Sequence, residues 1–382
     1  MFRRFNHVFE FKYLRLTVCL FAMAVIVLGE FANAHVLGNS STEARSPAIL
    51  QDERSNHGQR IAAIFEQTKT ANSAKDYGEI ISAIDSLLQD AELSANNRTY
   101  LNSLKAWAHD HRGYKRSELI DLFRTANNHE QANLAVAQSI EDFQMAIELD
   151  PQRWQARMHR GIVFAKSADF DAAANEFTEV IRLEPSNTSA FFNRAECLYQ
   201  LRRYEEALVN YNHVLNVSPG DIQVVTGRAH TLMQMGRFDE ALEDYQIVVR
   251  IRPNDGWAFA NRGELYAEVG NWKLAYNDYN KAIEIKPDAD IYRRIAWLLA
   301  TCPDEEFYRP QTAIELARKA IDMGGVTASR LDTLAACLAS AGYFDEAKVY
   351  QKQAIDLLER QEYQTRMALY ENGEPFMLPA RR

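Results

Sequence analysis

Five prolines, Pro151, Pro185, Pro219, Pro253 and Pro287, stand 34 residues apart. Each closes an apolar stretch of helical spacing: AIELDP, VIRLEP, VLNVSP, VVRIRP and AIEIKP. A fixed period of roughly 20–50 residues constrains a chain more than any local signal does. Each unit is too small to bury its own apolar face and must stack on its neighbours.

Other positions recur when the proline is numbered 32. Position 20 is Ala173, Ala207, Ala241 and Ala275, and position 8 is Gly161, Ala195, Ala229 and Gly263. Position 24 is Phe177, Tyr211, Tyr245 and Tyr279; position 17 is Phe170, Tyr204, Phe238 and Trp272. Small residues at 8 and 20 let two antiparallel helices approach closely, and the ring at 24 fills the space beside them. Gly236 and Gly270 fall at position 15, where the chain turns. Proline at 32 ends the second helix.

The small–small–aromatic–proline pattern, in register over residues 154–287, resembles the tetratricopeptide repeat family. The resemblance covers about residues 58–371 and implies an all-α solenoid of about eight helix pairs, wound as a right-handed superhelix with a C-terminal capping helix. Position 7 departs from the usual Leu, being Arg160, Arg194, Arg228 and Arg262.

The flanks are irregular. Residues 57–150 read as divergent repeats, with Tyr77 and Ile84 at positions 17 and 24 of one unit and Phe143 at position 24 of the next. In that second unit a polar insertion near 117–131 is expected between a first helix over 100–113 and a second over 133–150. Residues 151–289 form the regular array. Residues 290–371 read as a divergent module and a capping helix, with CPDEEFYRP in place of a tight turn and Gly342, Phe344 and Ala347 restoring the pattern. Residues 372–382 are left as a tail.

The N-terminus reads as a targeting segment. Residues 16–29 carry no charge and follow Arg3, Arg4, Lys12 and Arg15. As a helix they span about 21 Å, short of the roughly 30 Å hydrocarbon core. Ala32-Asn33-Ala34 supplies a small-x-small cleavage pattern, so residues 1–34 are expected to be a signal peptide, with export to the periplasm or beyond. An uncleaved membrane anchor is the alternative. Residues 35–56 are polar and without period, as in a flexible leader.

Forty-three basic against 52 acidic side chains give a net charge of −9, which disfavours a nucleic-acid or anionic-membrane partner. Of four cysteines, Cys19 leaves with the signal; Cys197 and Cys337 fall among apolar helical residues, and no C-x-x-C occurs. No phosphate-binding loop, nucleophile elbow or zinc-protease motif is present, so no catalytic residue, cofactor or metal is expected. His109 and His111, two apart on a helix, point to different faces and read as surface residues. Asp304, Glu305 and Glu306 read as a solvated turn.

Position 23 is Glu176, Asn210, Asp244 and Asp278, opposite the arginines of position 7. Ion pairs Arg160–Glu176, Arg228–Asp244 and Arg262–Asp278 are therefore expected, with Arg194 facing Asn210. A column of arginines binding an anionic ligand is the alternative.

The resemblance implies a concave groove lined by positions 2, 5, 9, 12 and 13 of the first helices. Candidates there for contact with a protein or peptide partner are Met158, Phe192, Glu196, Tyr199, His230, Met233, Trp257, Glu264 and Glu268. The family's clamp for a terminal carboxylate is not reproduced: Asn193 and Asn261 fit, but Met158, Ile162 and Ala260 supply no cation. A non-catalytic interaction scaffold is the expected function. The alternatives are a membrane-anchored envelope assembly or secretion component and an enzyme using residues 290–325.

Overall fold

A computed structural model describes residues 56–378, which form two compact units, 56–219 and 220–378. The signal and leader expectations for residues 1–55 lie outside the described residues. Among the described residues there are seventeen helices and no strand.

The first unit holds four helix pairs: α1 (Asn56–Thr68) with α2 (Ala74–Leu88), α3 (Ala95–Thr125) with α4 (His129–Leu149), α5 (Trp154–Lys166) with α6 (Phe170–Leu183), and α7 (Thr188–Gln200) with α8 (Tyr204–Val217). The second unit holds four more: α9 (Ile222–Gln234) with α10 (Phe238–Ile251), α11 (Gly256–Glu268) with α12 (Trp272–Ile285), α13 (Ala289–Thr301) with α14 (Pro310–Gly324), and α15 (Ala328–Ser340) with α16 (Phe344–Leu357). Helix α17 (Gln361–Glu371) closes that unit.

Close approach within a pair follows from the repeat positions. A Cβ added at Gly161 meets the Phe177 ring at 2.8 Å, and one added at Gly113 meets the Phe143 ring at the same distance. The alanines of position 20 and the rings of position 24 are buried throughout. Side-chain caps start many of the helices: Asn187 accepts from the Ala190 amide at 3.0 Å, and Asp255 from the Trp257 amide at 2.9 Å. Turns between paired helices use the left-handed conformation, taken by Gly236 (φ +74°) and, without the help of glycine, by Ala168 and Arg202 (both φ +61°).

Two expectations change. The polar insertion is helix: α3 runs unbroken through residue 125 and α4 starts at 129, leaving only 126–128 as a turn. Ile120 continues the apolar spacing beyond Gly113 and is fully buried with Ala135, Phe143 and Val163, so both helices lengthen together. His109 and His111 are not surface residues. His109 is buried against Asp142, and His111 packs on the Trp107 ring at 4.2 Å.

Helix α13 is displaced by one residue relative to the proline rule. Its N-cap, Asp288, follows the proline directly, whereas Asn187, Asp221 and Asp255 each come two residues after theirs. Ala296 thereby takes position 8 and Trp297 position 9. Of the tail, residues 372–378 are described and 379–382 lie outside the described residues.

The expected turn at Asp304, Glu305 and Glu306 is exposed, while the neighbouring Phe307 is buried beside the Tyr276 ring. Cys197, Cys302 and Cys337 are free thiols, each buried.

Candidate partner-binding surface

The arginines of position 7 turn toward their own repeats. Arg228 donates Nε and Nη2 to Asp244 at 2.8 and 2.7 Å; Arg262 does the same to Asp278 at 2.7 and 2.8 Å. Arg160 reaches Glu176 at 2.5 Å, and Arg194 donates to the Asn210 side chain at 2.9 Å. The series extends one repeat back: Arg112 and Arg116 converge on buried Asp142 at 2.7 and 2.6 Å. Burial would raise the Asp142 pKa, but His109 and the arginines hold it below the usual value. Asp110, buried between Arg153 (2.9 Å) and His159 (2.8 Å), is likewise held low despite its burial. These guanidinium groups are spent on structure, so a ligand-binding arginine column is not what the geometry supports.

The first helices carry the candidate surface, described unit by unit. In the first unit Met158 and Tyr199 are partly exposed, with Tyr199 resting 5.6 Å from the Tyr204 ring. Phe192 and Glu196 are buried. Glu196 accepts the Tyr211 hydroxyl at 2.6 Å, and burial pushes its pKa up to about 7. It is a carboxyl held inside the wall rather than a charge on the surface.

In the second unit Met233 is 2% exposed and belongs to the core, a correction to its place among groove residues. Its side chain is enclosed, unlike Ala267 at the same position of α11, which is partly exposed. His230 is partly buried, edge-on to the Tyr245 ring at 5.7 Å; burial, then the nearby Arg294 charge, push its pKa down to about 4. Trp257, Glu264 and Glu268 remain partly exposed along α11. Arg294 of α13 joins two of them: its guanidinium lies 5.5 Å over the Trp257 ring and bonds the Glu264 carboxylate.

The sequence missed Arg294, which is buried behind the surface, and Trp297, which is partly exposed on it. The early N-cap at Asp288 was the available signal, since it places Trp297 at the same helix position as Glu264. Among the described residues no group of three or more His, Cys, Asp or Glu side chains is placed to hold a metal ion. No described helix is long and apolar enough to cross a membrane.

Tetratricopeptide repeat family models match residues 160–212, 229–270 and 258–289. The chain contains tetratricopeptide repeats. Among solved structures it is similar to a tetratricopeptide repeat protein from Parabacteroides merdae, at 17% identity over 68% of this chain and 99% of that one, with a TM-score of 0.56. That is a likeness of fold. It also matches YrrB, described as a TPR protein with an unusual peptide-binding site, at 23% identity over 46% of this chain and 88% of that one, TM-score 0.38. MamA from Desulfovibrio magneticus RS-1 matches at 17% identity over 44% of this chain and 94% of its own length, TM-score 0.39. No curated protein matches the chain. Tetratricopeptide repeats build protein-interaction scaffolds, and the helix pairs here are of that kind.

Proposed function

We propose that this tetratricopeptide repeat protein is an exported, non-catalytic scaffold that holds a protein or peptide partner on the first helices of its repeats. The observation that carries the reading is Trp257. Its ring is partly open, backed by the Arg294 guanidinium, with Glu264 and Glu268 two and three turns further along the same helix. A large ring fixed from behind loses little freedom on binding, which is what an interface anchor needs. The neighbouring carboxylates favour a segment with basic residues beside its apolar ones. In the first unit Tyr199 offers a second ring of the same character.

Export rests on the apolar run at 16–29 and the Ala32-Asn33-Ala34 pattern, with the mature chain starting at His35. A photoreactive residue at position 257 of the exported protein tests the scaffold reading. Crosslinks to one partner from position 257, and none from the exposed Ile251 of α10, support it. The reverse pattern rejects it.

A further inference from the structure

Helix α15 is covered on every side: all residues from Leu331 to Ala339 are buried. Over the corresponding turns of α5, α7, α9 and α11, buried residues are mixed with partly exposed ones. Part of that cover comes from the end of the chain: Arg366 of α17 bonds buried Asp332, and Phe376 packs against the core that holds Leu334 and Leu338. After α17, Gly373 takes φ +72° and the Glu374 amide donates back to the Leu369 carbonyl at 2.9 Å, which reverses the direction of travel. Residues 374–378 continue without helix or strand.

This segment is held as a bound peptide would be. The Phe376 ring lies 5.6 Å from the Trp297 ring, and the Arg366 guanidinium lies 5.5 Å from Phe376 and 5.2 Å from Trp297. Arg366 is fixed by buried Asp332 through bonds of 2.7 and 2.9 Å. The Leu378 amide donates to the Thr301 carbonyl at 2.8 Å, a helix-end acceptor with no partner inside α13. Phe376 and Leu378 are half-buried while Met377 between them is exposed, the alternation of an extended strand-like segment. Trp297 occupies position 9, where α11 carries Glu264 and α9 carries His230.

We propose that Glu374–Leu378 is an intramolecular ligand, and that the α13 face beneath it is a partner site for an extended segment with an aromatic residue at i and an aliphatic one at i+2. The inference rests on the reading of the first-helix face as a partner surface and names the chemistry of its occupant. The aromatic side chain seats between Trp297 and Arg366, and the i+2 amide reaches Thr301. Because the tail is tethered, its effective concentration at the site is in the millimolar range, so it keeps weak ligands out and yields to tighter ones.

The probe is a fluorescein-labelled, end-blocked peptide of residues 372–378, titrated against the full chain, the full chain carrying Phe376→Ala, and a chain ending at Asn372. Circular dichroism melting checks folding of each. The expected result is binding to Phe376→Ala and to the shortened chain at least tenfold tighter than to the parent, and loss of that binding when Trp297→Ala is added. Should the shortened chain melt below the assay temperature, Phe376→Ala, whose backbone is complete, decides alone. Equal affinity for parent and Phe376→Ala, or binding untouched by Trp297→Ala, overturns the proposal. Neither result bears on Trp257, so the groove reading stands or falls separately.

Discussion

Arg228 and Asp244, sixteen residues apart, meet through two parallel hydrogen bonds of 2.8 and 2.7 Å that tie the first helix of a repeat to its second. The Asp244 carboxylate is almost wholly buried and the Arg228 side chain about a quarter exposed. Arg262 and Asp278 repeat the arrangement in the next pair, while Arg194 donates Nε to the uncharged Asn210 side chain.

Removing the charge at one end leaves a part-buried guanidinium short of its partner. Asp244→Asn and Asp278→Asn are each expected to lower stability by about 1–3 kcal/mol, more than an exposed pair would cost. Partner binding should be unchanged. Denaturant melts paired with binding titrations check this; a large loss of binding at unchanged melting would return the arginines to the site.

Two glycines separate backbone strain from packing. A Cβ at Gly236 meets nothing within 4 Å, yet the residue sits at φ +74°, so Gly236→Ala is expected to cost about 1–2 kcal/mol through the backbone alone. Gly161 is helical but faces the Phe177 ring at 2.8 Å, so Gly161→Ala costs about 1–3 kcal/mol through overpacking. Phe177→Leu, which retracts the ring, should recover part of the loss at Gly161 and none at Gly236. Recovery at both, read by thermal melting, would contradict the distinction.

Glu196 makes stability depend on pH. Its pKa rises from an ordinary 4.5 to about 7 in the fold, so the folded chain holds a proton that the unfolded chain gives up. The contribution is full below about 4.5 and is lost as pH rises through about 7, about 3 kcal/mol in all. His230, lowered from 6.5 to about 4, works in the opposite direction: stability rises as pH increases from about 4 to 6.5. The comparison of parent with Glu196→Gln isolates the carboxyl. The variant should lose the decline between pH 5 and 8 and be the more stable of the two at pH 8. Parallel curves for the two proteins would show that Glu196 titrates as an ordinary surface group.

Most of the fold was legible because the repeat imposes size at fixed positions. Ala173 and Phe177, or Ala241 and Tyr245, could be paired from spacing alone, and so could each Arg with its Asp or Glu. What escaped was local. Residues 117–131 carry enough polar side chains to read as an insertion, yet Ile120 and Phe123 continue the apolar face of α3 toward its end at residue 125. A single-residue shift at Asp288 hid Trp297, because side-chain direction turns by about 100° per residue on a helix. The burial of Met233 and Glu196 depends on how closely neighbouring helices pack, which a one-dimensional pattern does not specify.

The maturation of the chain has its own test. Ala32-Asn33-Ala34 after a short apolar run sets the expected mature N-terminus at His35. N-terminal sequencing of the protein from the envelope or medium should begin there. A sequence beginning at Met1 would favour a retained anchor.

The central claim is that a partner docks on the first-helix face around Trp257, and its most direct measurement is the affinity of the crosslinked partner for two variants of matched melting temperature. Burying one aromatic side chain is worth about 1.5–3 kcal/mol, so Trp257→Ala should weaken binding roughly ten- to a hundredfold. Ile251→Lys, on the exposed side of α10 in the same unit, should leave it unchanged. Parental affinity in Trp257→Ala together with lost binding in Ile251→Lys would contradict the claim.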